Sequence, residues 1–532
     1  MRSIEVFDTT LRDGSQGEGI SFSIEDKIRV AKKLDWLGVS FIEGGWPGSN
    51  DKDREFFERA QDITWEHARI TAFGSTRKGN IAPEDDANLN ALVASNAPAI
   101  AIFGKSWDFH VTDALRLPLE ENVRMIEDSV AFLKSAGRHV VYDAEHFFDG
   151  YKANPDYALE CLTAAKRGGA DILALCDTNG GSLPEEIRAI IRTVLDSLQH
   201  AVGIHTHNDS GFGAANAVAA VQEGAVHVHG TINGYGERCG NVNLCTLIPI
   251  LELKLGMKCL PEGNLRHLTH VSNFVDEIAN VTPDHRQPFV GASAFAHKGG
   301  IHVDAINKDR RTYEHIEPEQ VGNEQRILIS ELSGAANVVA KAQRRGLDLQ
   351  KSDPHTRAVL REIVERENDG YSYESAEGSF ELLLEKATGN YHKLFDLLSF
   401  RVIVEKRNPE EEPITEATLK ICVEGEERHT VGEGDGPVHA LDTALRKALQ
   451  FFYPGLKDIR LTDFKVRVVN TKEGTAARVR TVIDSVDSQG HTWSTVGVSS
   501  NLVEASWQAL VDSVEYGLLM RRRDPDSQDA EA

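Results

Sequence analysis

The chain has 532 residues, too many for one ordinary core at roughly 150 residues per domain, so several units are expected. Hydrophobic residues make up 41% and charged residues 26%, which excludes a disordered chain. A net charge of −24 excludes nucleic acid as the main partner, since phosphate binding needs a cationic surface, and an anionic ligand would need local help from a metal, an arginine or a helix N-terminus.

From Ile4 to Met257 a short apolar run followed by an amphipathic helical stretch recurs eight times. The predicted strands are Ile4–Phe7, Val39–Glu43, Ile70–Phe73, Ala99–Phe103, Val140–Tyr142, Ile172–Leu175, Val202–His205 and Val226–Gly230. The predicted helices between them include Ile24–Leu37, Asn122–Ala136, Tyr157–Arg167, Pro184–Leu198 and Gly213–Gln222, with capping signals at Ser23–Asp26 and Ser182–Glu185. Eight such units favour a closed (β/α)8 TIM barrel over residues 1–282, rather than an open doubly wound sheet. In a barrel of this kind active sites are assembled at the C-terminal ends of the strands.

Residues 283–398 read as a linker, rich in Pro and polar residues near Pro283–Val290, followed by small helical subdomains with helices at Ser333–Arg345 and Pro354–Asn368. Within this region a loop carries His297, Gly299, Gly300 and His302. Residues 399–520 read as strand, strand, strand, helix, twice over: Phe400–Glu405, Glu416–Val423, His429–Val431 and Val438–Phe451, then Asp463–Val468, Ala477–Asp484, Thr492–Val498 and Leu502–Tyr516. Val438, Ala440, Ala444 and Leu445 recur as Val503, Ala505, Ala509 and Leu510, an internal repeat at an offset of 65 residues. Two such units make an α+β module, regulatory or dimerising in role, and the tail 521–532 reads as disordered. The six cysteines form no Cys-x-x-Cys pair and no apolar run approaches 18 residues, so we expect a cytoplasmic protein with reduced thiols, no signal peptide and no membrane span.

The barrel strand ends are unusually polar. Strand one leads into Asp8-Thr-Thr-Leu-Arg12-Asp13, strand two into Glu43-Gly-Gly-Trp46, strand five into Asp143-Ala-Glu145-His146 and strand six into Asp177-Thr178-Asn179. Strand seven carries His205 and His207, which share one face because side chains alternate along a strand, and strand eight leads to Asn233–Asn241. Asp13, His205, His207 and Asn241 supply a carboxylate, two imidazoles and an amide oxygen, a donor set for Mg²⁺, Mn²⁺, Co²⁺ or Zn²⁺ with positions left open. A cation held by one anionic ligand stays positive enough to bind a 2-oxo acid and activate its keto carbon, and Arg12 could either stabilise the developing oxyanion or merely pair with a rim carboxylate. The carbanion partner requires a base, for which His302 and Glu145 are both candidates.

Taken together, Asp8–Gln16, His205–Asp209, Asn233–Asn241 and Gly300–Asp304 resemble the 2-isopropylmalate, homocitrate and citramalate synthases, the barrel metallolyase group. The resemblance runs over nearly the whole chain. It implies an acyltransferase that condenses acetyl-CoA with a 2-oxo acid and then hydrolyses the thioester, with Asp13, His205, His207 and Asn241 as metal ligands and Arg12 stabilising enolate and oxyanion. It further implies Thr178 and Glu145 as substrate-site groups, His302 as the base and Tyr313 as an active-site contact reaching across a homodimer; His297 matches a recurrent histidine without an assigned role. The C-terminal module is then an amino-acid-sensing LeuA-type domain. The stretch Glu43–Asn50 resembles the branch that uses pyruvate rather than 2-oxoisovalerate, which would make isoleucine the feedback inhibitor and calls for bulky pocket walls, for which Phe73 and Ile102 are the expected residues. An aldolase acting on a 4-hydroxy-2-oxo acid and a non-catalytic amino-acid sensor are the alternatives.

Overall fold

The computed structural model describes residues 2–330, 333–344, 349–469 and 476–523. The chain divides into two compact units, one running up to Phe295 with His315–Gln325, the other comprising Ala296–Glu314 and the chain from Arg326 onward.

In the first unit eight parallel strands close into a barrel in chain order: β1 Glu5–Asp8, β2 Phe41–Gly45, β3 Arg69–Ser75, β4 Ala99–Lys105, β5 His139–Glu145, β6 Ile172–Asp177, β7 Val202–Thr206 and β8 His227–Gly230, with β8 pairing back onto β1. Strands alternate between two buried faces. One set, including Phe7, Phe41, Phe73, Ala101, Val141 and Ala174, fills the barrel interior, while Val6, Ile42, Ile100, Ile102, Val140 and Leu173 pack outward against the helices. The helices Ile24–Leu37 and Pro184–Leu198 have the expected bounds. The first begins with a full capping box between Ser23 and Asp26. The second does not use Ser182: its hydroxyl donates to Asp177 at 2.9 Å, Pro184 opens the helix, and Glu186 accepts from the Leu183 N–H at 2.7 Å. Asp177 therefore outcompetes the helix end for Ser182.

The second unit holds the helices Gly300–Ile306, Ala335–Arg344, Pro354–Asn368 and Glu377–Thr388, then two antiparallel three-stranded sheets. The first sheet comprises Asp396–Glu405, Ile414–Val423 and Glu426–Gly434 with the helix Pro437–Leu449, and the second Arg460–Val468, Val479–Val486 and Thr492–Ser499 with the helix Leu502–Arg523. The repeat seen in the sequence is physical: Ala440, Ala444, Leu445, Ala505, Ala509 and Leu510 all lie in the core. A Cβ on Gly432 would fall 2.5 Å from the Ala440 carbonyl oxygen, and one on Gly497, 65 residues later, 2.0 Å from that of Ala505. Small residues facing each other let each helix sit directly on its sheet. The last helix runs to Arg523, so 521–523 of the tail expected to be disordered are helical, while 524–532 lie outside the described residues. No helix among the described residues is long and apolar enough to cross a membrane.

Candidate active site

The C-terminal ends of the barrel strands surround a cavity of about 270 Å³ lined by Arg12, Asp13, Trp46, Phe73, Phe103, Asp143, Glu145, Thr178, His205 and His207 among others. Asp13 follows β1 on a tight turn, where its N–H donates to the Thr9 hydroxyl at 3.3 Å. His205 and His207 leave the end of β7 on one side. The loop after β8 is laced to β7 by the Val242 N–H to Thr206 carbonyl (2.9 Å) and Asn208 N–H to Gly240 carbonyl (2.8 Å) hydrogen bonds, which carries Asn241 to the same place. A Cβ on Gly236 would stand 2.0 Å from the Asn241 side-chain oxygen, so only glycine leaves room for that amide.

One donor atom each from Asp13, His205 and His207 lie within 4.8 Å of one another, and all three residues are buried. Asp13 Oδ2 is 3.3 Å from His205 Nε2 and 3.6 Å from His207 Nε2. His207 Nε2 and Asn241 Oδ1 are buried without a hydrogen-bond partner, as donor atoms meant for a cation would be. Asn241 offers its amide nitrogen to Asp13 Oδ2 at 2.8 Å; a half-turn of the amide puts the oxygen there instead. Burial alone would raise the Asp13 pKa, but Arg12, His205 and His207 outweigh it and hold the carboxyl well below its ordinary value. Burial lowers the His205 pKa, only partly offset by Asp13. An ionised carboxylate beside a neutral imidazole is the protonation state that a divalent cation requires. On the far side of His207, Arg238 donates to Nδ1 at 2.7 Å and also grips Asp209 and the Thr178 carbonyl oxygen. With Nδ1 accepting, the neutral ring carries its proton on Nε2, so a cation on Nε2 would require the proton to move to Nδ1 and Arg238 to turn from it to its other partners, Asp209 and the Thr178 carbonyl oxygen.

Arg12 pairs with carboxylates at the rim and also lines the cavity. It pairs with Glu43 (2.7 Å) and Asp13 (3.2 Å), and its guanidinium lies 3.7 Å over the Phe73 ring while facing the cavity. Glu43 is fully buried and also accepts the Thr9 hydroxyl, so it serves as the clamp that aims Arg12. Glu145 lines the cavity and is paired with Lys105, its register partner across β4 and β5. Thr178 lines it too, with its hydroxyl accepting the His146 N–H at 2.8 Å. Asp143, also on the cavity wall, has its carboxyl pushed well above the ordinary range by burial; one oxygen makes no hydrogen bond and lies 4.0 Å from His229 Nδ1.

The wall opposite the donors is aromatic. Trp46, Phe73 and Phe103 meet with ring centroids 5.5 to 5.9 Å apart, and the Trp46 indole N–H is fixed by Asn88 at 2.7 Å. Phe73 is where the sequence placed it, but Ile102 is not a wall residue. It points outward into the barrel–helix layer, and its neighbour Phe103 faces the cavity, as strand alternation dictates once one residue of β4 is oriented. Strand four was expected to end at Phe103; its true end at Lys105 is what would have revealed the Lys105–Glu145 pair. His302 and Tyr313 belong to the second unit, where both are exposed and their rings stack at 4.1 Å. His297 is buried there, 3.0 Å from Glu314, a structural pair.

Barrel and donor set together define a class. The HMGL-like family matches residues 3–275, a homocitrate synthase post-HMGL domain-like segment residues 289–369, and the LeuA allosteric (dimerisation) domain residues 374–518. A protein of Geobacter sulfurreducens named (R)-citramalate synthase is 53% identical over 97% of this chain and 98% of its own length, and one of Aquifex aeolicus with the same name is 51% identical over 97% and 98%. A probable 2-isopropylmalate synthase of Methanopyrus kandleri is more distant, at 30% identity over 98% and 99%. The chain belongs to the HMGL-like family and, within it, to the (R)-citramalate synthases.

Proposed function

We propose that the protein condenses acetyl-CoA with pyruvate and water to give (R)-citramalate and CoA, an acyltransferase reaction at the head of isoleucine synthesis. The observation that carries this reading is the small cavity of about 270 Å³ with cation donors on one side and a wall of three aromatic rings on the other. Asp13, His205, His207 and, with its amide turned, Asn241 would hold a divalent cation, Mg²⁺, Mn²⁺, Co²⁺ or Zn²⁺, which draws electrons from the keto group of the oxo acid. Arg12, held by Glu43 and Asp13, donates to the oxygen that gains charge as the keto carbon is attacked. The Thr178 hydroxyl, which lines the cavity and keeps its own proton to donate, would bind the substrate carboxylate. The aromatic wall leaves room for the methyl group of pyruvate and crowds an isopropyl group. His302 is assigned as the base that takes the proton from the acetyl methyl, and Glu145, anchored by Lys105, as a substrate-site carboxylate of the cavity. Tyr313, stacked on His302, is the contact offered to a second copy.

A homodimer is supported by the match to a dimerisation domain and by exposed apolar side chains on the outer strands of both sheets, Leu397, Ile403 and Val404 on one and Phe464, Val466 and Val468 on the other. The same module holds a cavity of about 630 Å³ lined by His439, Asp442, Arg446, Lys457 and Arg460 among others, where charges of both signs suit a zwitterionic amino acid such as isoleucine as inhibitor. Six free cysteines suit the cytoplasm. The deciding assay follows free thiol while purified protein is supplied with Mn²⁺ or Mg²⁺, acetyl-CoA and, in turn, pyruvate, 2-oxobutyrate, 2-oxoisovalerate and 2-oxoglutarate. Pyruvate is expected to give the highest kcat/KM; a preference for 2-oxoisovalerate would overturn the assignment.

A further inference from the structure

Behind the donor set, a row of imidazoles runs through the barrel interior from His205 to two histidines that the reaction above leaves unused. His205 Nδ1 lies 3.4 Å from His229 Nδ1, His229 Nε2 lies 3.0 Å from His227 Nε2, and His227 Nδ1 lies 3.2 Å from Glu5 Oε2. His227 and His229 are two apart on β8 and therefore share the interior face, beside Glu5 and Phe7 of β1 in register. The Phe7 ring stacks on His229 at 4.1 Å and Phe41 meets His227 at 5.3 Å, which holds both rings in place. All three histidines are buried, whereas the Glu5 side chain is 39% exposed at the opposite, N-terminal mouth of the barrel.

We propose that Glu5, His227 and His229 are positioning residues that fix the tautomer of His205, so that its Nε2 presents a lone pair to the cation at the other end of the barrel. The inference rests on the reading of Asp13, His205 and His207 as a cation site. Its logic is the polarity of hydrogen bonds. A carboxylate can only accept, so His227 Nδ1 carries the proton it donates to Glu5. A neutral imidazole has one N–H, so His227 Nε2 must accept, and the proton there belongs to His229 Nε2. His229 Nδ1 then accepts in turn from His205 Nδ1–H, and His205 Nε2 is left bare, 3.3 Å from Asp13 Oδ2. Run in the opposite sense, the same row would put a proton on His205 Nε2 and block the cation. Each ring passes the polarity on unchanged, so the two ends compete: Asp13, 3.3 Å from His205 Nε2, draws the proton to that nitrogen while the site is empty, and Glu5 at the far mouth draws it to Nδ1, the tautomer a cation needs. Metal-bound histidines are commonly oriented by a carboxylate or carbonyl on the other ring nitrogen; here two further rings carry that influence across the barrel.

The test is calorimetric titration of Mn²⁺ into metal-stripped full-length wild type, Glu5→Gln, Glu5→Lys and His207→Ala, with the Tm of each metal-stripped protein measured alongside. Glutamine still offers an accepting oxygen and should bind Mn²⁺ close to wild type. The lysine ammonium can only donate, reverses the row, and should weaken binding by roughly 10- to 100-fold, the usual range for losing such an outer partner, with little change in Tm because the side chain sits at an open mouth. Affinity undiminished in Glu5→Lys, or reduced equally in Glu5→Gln and Glu5→Lys, overturns the proposal. Wild type that binds no more tightly than His207→Ala removes the cation site and the proposal with it. Should Glu5→Lys fail to fold, His227→Leu cuts the row from its anchor and should weaken binding in the same direction; unchanged affinity there overturns the proposal equally.

Discussion

Replacing Phe103 with alanine removes one of the three aromatic rings that bound the 270 Å³ cavity while leaving Arg12, which rests on Phe73, in place. Relative to pyruvate, 2-oxoisovalerate carries two more carbons, and burying each in apolar surroundings is worth about 0.8 kcal/mol, so filling the new space gains about 1.6 kcal/mol, roughly fifteenfold. Pyruvate loses a wall and gains nothing. The ratio of kcat/KM for 2-oxoisovalerate over pyruvate should therefore rise by about tenfold or more in Phe103→Ala, read by thiol release with each acid. Because Phe103 is half-buried, the stability cost should fall short of the 3–5 kcal/mol or so of a fully buried phenylalanine. Ile102→Ala is the matched control: it empties the barrel–helix layer and should cost about 2–5 kcal/mol of stability without changing selectivity. An unchanged ratio in folded Phe103→Ala would show that the side chain of the oxo acid does not lie on this wall.

His207→Ala should abolish turnover and cation binding while leaving isoleucine binding to the C-terminal module largely intact, as equilibrium dialysis with labelled isoleucine would report. Arg12→Lys keeps the charge but cannot reach Glu43, Asp13 and a developing oxyanion together, so kcat should fall by about 10²–10³ with KM little changed. Asp8 is buried beneath the site and accepts from the Thr10 N–H and hydroxyl; burial, partly offset by those bonds, pushes its pKa up to about 7 from 3.8. The unfolded chain then releases this proton before the folded one does, so stability declines as pH rises from about 4 to about 7 and the cost is complete above that, at most about 4 kcal/mol. Asp8→Asn should accordingly raise Tm more at pH 8 than at pH 5; an equal change at both would show that the carboxyl is not held neutral.

The barrel was legible because its signal is repeated: eight apolar runs of strand length, each followed by a helical period, leave few other architectures. Strand ends were harder. Gly104 and Lys105 carry no apolar pattern, yet β4 continues through them, and with that extension went the pair between Lys105 and Glu145. The residues of the candidate cation site were readable as a group because they sit in short local motifs at strand ends. The wall was readable only by type: bulky residues on strands three and four were expected, but which of Ile102 and Phe103 faces inward depends on register, which a run of apolar residues does not encode when both faces are buried. Glu43 appeared in the sequence as one more polar strand end, and its task of aiming Arg12 exists only in three dimensions. The histidines of β8 drew no notice, because polar residues inside a strand have no local signature that separates a packed imidazole from one in a row with others.

That row also bears on how the protein could be redesigned. Barrels of this architecture are usually reassigned to new chemistry by exchanging the loops at the C-terminal rim, on the premise that the other end is inert scaffold. Here Glu5 and the two β8 histidines link rim to base through the interior. A transplant of the rim into another barrel would have to carry those three residues with it, and a library that randomises the N-terminal mouth for stability alone should hold position 5 to residues that accept a hydrogen bond.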